Sequence, residues 1–241
     1  MALMFWMWFF RICDFLCRFI PNRVRRDYVR RVKLFDWYRK YNALRDAFPE
    51  LNFRHTKMVK GGWNIGFIID NKYVFKVRKQ PDTPVSHEKL LLQQRVTAAL
   101  KPFSPLKMLD IQIFDIDEYT FYRYPFIRGH NLNHFHSSTI RRHRDLWGHQ
   151  IADFIYKIHN STPKEIKDLI TPEGDGWNHN DLCNNVLVDT KTMRVVGIID
   201  WEYAGWGYLE TEFRNCTRFS SAMRKSGIGD VIRKEYEKIA K

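Results

Sequence analysis

Trp177-Asn178-His179-Asn180-Asp181-Leu182-Cys183-Asn184-Asn185-Val186-Leu187-Val188-Asp189 runs through Thr190-Lys191-Thr192-Met193 into Arg194-Val195-Val196-Gly197-Ile198-Ile199-Asp200-Trp201-Glu202. Val186 and Val188 alternate with their neighbours, and a second apolar run ends at Ile199. Residues 189 to 193 lie between the runs as a turn. Two short strands joined there would fix where the polar groups at their ends begin, so Asp181, Asn185 and Asp200 are expected to converge.

A carboxylate beside an amide and a second carboxylate suits magnesium-dependent phosphoryl transfer. One Asp accepts or orients the proton of an attacking hydroxyl, while the amide and the other Asp offer hard oxygen ligands to the cation. The segment resembles the H-x-D…N and I-D-W-E motifs of the aminoglycoside phosphotransferase and choline kinase-like family. That resemblance implies a two-lobed protein kinase-like α+β fold, with a small antiparallel-sheet N-lobe and a mainly helical C-lobe. It implies ATP and Mg2+ as cofactors, Asp181 as the catalytic residue, and Asn185 with Asp200 as metal ligands. In the family the Asn usually follows the Asp by five residues, whereas Asn185 follows Asp181 by four. In extended chain one residue moves an end by about 3.3 Å, so Asn184 is a second candidate. Asn185 is preferred because it directly precedes the strand.

The 241 residues suffice for one large or two small domains, and 44% hydrophobic with 28% charged residues is a globular composition. The net charge of +13 predicts attraction to anionic lipid, nucleic acid or phosphorylated substrates, and disfavours polycationic ones. Cys13, Cys17, Cys183 and Cys216 form no C-x-x-C pair, which points to a reducing compartment rather than a zinc or disulfide framework.

Residues 1 to 20 are apolar and aromatic, with Arg11, Asp14 and Arg18 on one helical stripe, and Pro21 ends the pattern. Arg23, Arg25, Arg26, Arg30, Arg31 and Lys33 follow against a single Asp27. An N-terminal amphipathic helix before a basic cluster predicts association with an anionic membrane surface, peripheral at its cytoplasmic face. Three ionised groups make a true span costly, and no cleavage signal is evident.

Helical spacing of Leu34, Trp37, Tyr38, Tyr41, Leu44 and Phe48 predicts a packing helix that ends at Pro49. Gly61, Gly62 and Gly66 then lie between two apolar runs, where glycine lets the backbone approach phosphates. After an Asp70-Asn71-Lys72 turn, the third strand carries Lys76, where the kinase-like pattern places a phosphate-binding lysine. Arg78 shares its strand face, but Val74 and Val77 enclose Lys76. A helix beginning near Pro84 supplies Glu88, the candidate partner of Lys76 by the same resemblance.

Strands are predicted at Leu109 to Phe114 and Tyr119 to Tyr124, joined by an acidic turn. Tyr124-Pro125-Phe126 resembles the segment between lobes that meets adenine, which makes Tyr124 and Phe126 nucleotide candidates. A helix from about Thr139 to His159 has Leu146, Ile151, Phe154, Ile155 and Ile158 as its apolar face. The histidines scattered through residues 130 to 159 lack metal-ligand spacing. Glu210 or Glu212 is a candidate for structural hydrogen bonds.

The expected organisation is an N-terminal segment 1–33, an N-lobe 34–123 and a C-lobe 124–241. The leading reading is an ATP-dependent phosphotransferase acting on a hydroxyl of a small-molecule or lipid-linked, envelope sugar-like acceptor. Choline, ethanolamine or aminoglycoside acceptors are alternatives, as is an impaired pseudokinase serving as a membrane-associated binding module. Nucleic-acid binding would rest on charge alone.

Overall fold

The computed structural model describes residues 12, 15–28, 36–60, 62–80, 83–218 and 221–241. Gly61, Leu34, Pro81 and the greater part of the 1–20 segment, with Arg11, Cys13 and Asp14, lie outside the described residues, as do Arg30, Arg31 and Lys33. The chain divides into two compact units, one of residues 1–87 and 112–126, the other of residues 88–111 and 127–241.

In the first unit, helices α1 (Arg23–Tyr28) and α2 (Asp36–Ala47) precede a sheet of β1 (Thr56–Lys60), β2 (Asn64–Ile69), β3 (Tyr73–Arg78), β4 (Gln112–Ile116) and β5 (Tyr119–Pro125). The strands are ordered β1-β2-β3-β5-β4 and every pairing is antiparallel. The period of two sends Ile65, Phe67, Ile69, Phe75, Val77 and Phe121 to one face, where they bury Leu44 of α2 completely. Tyr41 and Phe48, one helical turn to either side of Leu44, close over the same cluster. Lys76 therefore occupies the other face, opposite Tyr122 in the register. The Asp70-Asn71 turn has φ of 54° and 50°, the left-handed geometry that two-residue hairpins need and short polar side chains tolerate.

The strand expected from Leu109 begins instead at Gln112. Leu109 and Ile111 are buried in the second unit, where the Ile111 carbonyl accepts from Gln94 Nε2 at 2.8 Å and Lys107 bridges to Gly197. Their apolar character reflects that packing rather than sheet pairing.

Helix α3 (Pro84–Leu100) starts where the sequence predicts. Thr83 Oγ1 accepts from the Ser86 N–H at 3.2 Å, and Ser86 Oγ accepts from the Thr83 N–H at 2.8 Å, a reciprocal cap ahead of a proline in the first turn. Thr83→Ala should lower the stability measured by urea unfolding by about 1 kcal/mol.

The second unit is mainly helical. It holds the strands β6 (His130–Asn131), β7 (Gly176–Asn178), β8 (Val186–Asp189), β9 (Arg194–Ile198) and β10 (Gly205–Gly207), with helices α4 (Ser137–His159), α5 (Leu209–Arg218), α6 (Ser221–Ser226) and α7 (Ile228–Ile239). Sheets β6-β8-β9 and β7-β10 are antiparallel. Met193, with φ of 52°, closes the expected turn between β8 and β9 by donating its N–H to Asp189 O at 2.7 Å. The β8-β9 ladder pairs Leu187 with Gly197 and then Val188 with Val195, so Val196 is bulged out of register.

The buried face of α4 comprises Ile140, Trp147, Ile151, Phe154, Ile155 and Ile158. Leu146, expected on that face, is 38% exposed. Trp147, one step round the helix, takes the core position and donates Nε1–H to Met193 O at 2.7 Å. Helix α7 crosses α4 at Gly148, where a Cβ would come within 2.6 Å of Val231 Cγ1. Among the described residues no helix is long and apolar enough to cross a membrane.

Candidate active site

Strand β7 ends at Asn178, and the chain then turns through His179 and Asn180 into Asp181, the 3-10 turn Leu182–Asn184 and β8. His179 is 1% exposed and lies edge-on to Trp201, with ring centroids 4.8 Å apart. Its Nδ1 accepts from the Asp181 N–H at 3.2 Å, so the Nε2 nitrogen, 3.0 Å from Ile199 O, carries the proton and donates it. Burial pushes its pKa down to about 4, and the ring stays neutral. A neutral imidazole thus ties the Asp181 backbone to the end of β9.

Helix α5 grips the same turn from the other side. Glu212 is 2% exposed, and its Oε2 accepts from the backbone N–H groups of His179 at 2.6 Å and Asn180 at 3.0 Å. Burial pushes its pKa up to about 7, against the lowering effect of those donors. One turn along the helix, Asn215 Nδ2 donates to Asn180 O at 2.5 Å. Asn180 itself sits at φ 64° and donates its side-chain amide to Tyr203 O at 2.9 Å. Of the two glutamates open from sequence, Glu212 holds the turn, whereas Glu210 pairs with Arg233 at 2.8 Å on the surface.

Both oxygens of Asp181 are engaged. Oδ1 accepts from Asn184 Nδ2 at 2.7 Å, and Oδ2 accepts from Asn185 Nδ2 at 3.1 Å, the latter amide also reaching Asp181 O at 2.9 Å. Burial raises the Asp181 pKa, the two amides lower it, and the charge of Asp200 raises it again, with a net upward shift. Asp200 follows β9 in the left-handed region, φ 62°. The Ile199 N–H donates to Asn185 O at 3.0 Å, which fastens the segment carrying Asp200 beside the asparagine.

The geometry separates the two candidate asparagines. A carboxylate only accepts, so each must turn its Nδ2 toward Asp181. The Oδ1 of Asn184 is then taken by Asn133 Nδ2 at 2.5 Å, and the Asn184 backbone O by Asn131 Nδ2 at 2.5 Å. The Oδ1 of Asn185 accepts no hydrogen bond from the described residues, and amide and carboxylate oxygens such as those of Asn185 and Asp200 are the donor type that magnesium takes.

In the first unit, Lys76 Nζ lies 5.9 Å from the Tyr122 ring centroid and 6.0 Å from that of Tyr124. Gly62 and Gly66 flank Trp63-Asn64-Ile65 on the hairpin, and Lys79 Nζ donates to Gly62 O at 2.9 Å. Tyr124 is buried and pairs with Val74. The Phe126 N–H, just after β5, donates to the O of Lys72, just before β3, at 2.7 Å. Glu88 is exposed in the second turn of α3.

The histidines have local partners. His136 caps α4, His143 stacks on Trp147 with centroids 5.2 Å apart, His149 meets Glu235 at 3.1 Å and His159 meets Asp175 at 2.9 Å. Asn131, Asn133 and Asn215 escaped the sequence reading, because a polar residue far along the chain carries no mark of what it touches.

Residues 167–227 match the model of the phosphotransferase enzyme family, APH. No curated protein sequence matches the chain. Among solved structures, the chain is similar to the aminoglycoside phosphotransferase APH(2")-IIa in its streptomycin-ATP ternary complex, at 15% identity over 83% of this chain and 81% of that one, with a TM-score of 0.62. It is similar to ADP-bound APH(2'')-Ib at 14% identity over 81% of each chain, TM-score 0.64. A macrolide 2'-phosphotransferase from Brachybacterium faecium matches at 14% identity over 82% of each chain, TM-score 0.58. The fold is protein kinase-like, and the resemblance read from the motifs is borne out. The N-terminal amphipathic helix is a separate matter, since most of it lies outside the described residues.

Proposed function

We propose that this protein is an ATP- and Mg2+-dependent phosphotransferase that moves the γ-phosphate to a hydroxyl of a small-molecule or lipid-linked acceptor. The observation that carries the reading is the partly buried Asp181, held by two amides beside Asp200 and made more basic than an ordinary carboxylate. Asp181 orients the acceptor hydroxyl and takes its proton as the oxygen attacks the γ-phosphorus and ADP leaves. Asn185 and Asp200 hold magnesium, which when bound offsets the charge of the phosphates. Lys76, braced by Glu88, receives the phosphates, Gly61, Gly62 and Gly66 leave room for them, and Tyr124 and Phe126 meet the base. In support, a Cβ added at Gly62 would meet no atom within 4 Å, so packing does not demand glycine there.

Solved relatives carry streptomycin, gentamicin or nucleotides, which favours a hydroxyl-rich acceptor. A net charge of +13 argues for an anionic or membrane-held one, such as an envelope glycolipid sugar. Ile12, Phe15, Leu16 and Phe19 are exposed, and Arg18, Arg23, Arg25 and Arg26 lie close by in sequence. That composition suits a peripheral contact with anionic headgroups. Sedimentation with phosphatidylserine vesicles should be strong at low salt, fall as salt rises, and be lost on deleting residues 1–33. Vesicle binding that survives the deletion would remove the membrane reading. Transfer of labelled γ-phosphate across a panel of hydroxylated acceptors, with Asp181→Ala in parallel, tests the activity itself.

A further inference from the structure

Asp181 is gripped through Asn184, which is in turn gripped from a part of the chain about fifty residues earlier. The pairing of β6 with β8 sets Asn131 opposite Leu187, beside the start of β8. From there Asn131 Nδ2 donates to Asn184 O, and its Oδ1 accepts from the Asn133 N–H at 2.9 Å, so one side chain fixes both the Asn184 backbone and the turn bearing Asn133. Asn133 Nδ2 donates to Asn184 Oδ1, and Asn184 Nδ2 donates to Asp181 Oδ1. The chain of donors runs one way only, because the carboxylate at its end cannot donate.

We propose that Asn131, Asn133 and Asn184 form an amide relay that sets the plane of the Asp181 carboxyl, making Asn133 and Asn184 positioning residues for the transfer step. The proposal rests on the phosphotransferase reading. Rotation about the last torsion of an Asp is soft, so bonds to its two oxygens decide where the carboxyl plane lies. Asn185 reaches the Asp181 backbone as well as Oδ2, which leaves the tilt of Oδ1 to Asn184. Without Asn133, the Asn184 amide still turns Nδ2 to the carboxylate but loses the donor that holds its Oδ1, so its own plane is no longer fixed. Misalignment of the base acts on the reacting geometry and leaves nucleotide binding to other groups.

The test uses the full chain, Mg2+ and ATP, with phosphate release to water as the turnover reading. Asn184→Ala should lower kcat roughly 10- to 100-fold and Asn133→Ala roughly 3- to 10-fold, with the nucleotide KM nearly unchanged in both. The double variant should be no slower than Asn184→Ala, since both substitutions break one relay. Multiplying losses, an unchanged kcat, or an effect confined to KM would overturn the proposal. A second reading is independent of turnover: by nuclear magnetic resonance, the Asn184 side-chain NH2 protons should exchange slowly in the wild type and rapidly in Asn133→Ala. Fast exchange already in the wild type removes the relay. Slow exchange in a wild type that neither releases phosphate nor labels any acceptor of the panel removes the enzyme reading instead, and the positioning role with it.

Discussion

Asp181→Ala is expected to lower phosphate transfer roughly 10²- to 10⁴-fold, the span usual for loss of a positioned general base. Nucleotide affinity, measured by titration with ADP, should stay close to that of the wild type, because the groups proposed for the phosphates and the base lie elsewhere. The substitution also leaves Asn184 Nδ2 without its acceptor and frees one of the two bonds made by Asn185 Nδ2. Thermal unfolding of the same sample must therefore accompany the rate. A fall in kcat with the melting temperature held identifies the proton acceptor, whereas equal losses in both would show that Asp181 serves the fold. A variant that keeps full turnover would sink the assignment.

Glu212→Gln should change how stability responds to pH. The folded Glu212 titrates near 7 and an unfolded one near 4.5, so the folded chain keeps a proton that the unfolded chain loses in this interval. Its contribution is full at acid pH and is lost as pH rises through 7. His179 does the reverse: its folded value near 4 lies below the ordinary 6.5, so stability falls as pH drops from 6.5 to 4. Each difference corresponds to about 3 kcal/mol, and between about pH 4.5 and 6.5 the two slopes oppose each other. Urea midpoints of the wild type should vary little over that interval from this pair. The Gln variant, which keeps an acceptor for the backbone N–H groups, should lose the Glu212 contribution and expose the acid-side fall due to His179. A flat Gln variant would mean that His179 is not held neutral.

The strand-turn-strand framework around Asp181, Asn185 and Asp200 was legible because apolar alternation and a polar turn are local signals. So was the face of the first sheet opposite Lys76, since a period of two fixes it once Phe75 and Val77 are assigned to the core. The difference between Asn184 and Asn185 was not legible: both turn Nδ2 to the Asp181 carboxylate, and Asn131 and Asn133, from another segment, occupy the oxygens of Asn184. Glu212 could be named as a hydrogen-bonding candidate but not distinguished from Glu210, because burial separates them and neither neighbour in sequence reveals it. Leu146 and Trp147 show the same limit within one helix, where a single step exchanges core for solvent and the larger side chain wins the interior. The start of β4 slipped because Leu109 and Ile111 are apolar for the sake of the other unit.

The residue bulged out between β8 and β9 bears on how this hairpin tolerates a change in length. Val196 has no cross-strand partner, and its carbonyl is met by the Lys107 N–H at 3.2 Å instead. Between the bulge and Asn185 the ladder is held by Val186 with Ile198 and by the Ile199 N–H on Asn185 O. A residue gained or lost toward the Asp189–Met193 tip can be absorbed at Val196, the way slack in a rope is taken up at a loop before it reaches the knot. The two ends that bear Asn185 and Asp200 would keep their mutual register while the tip varies.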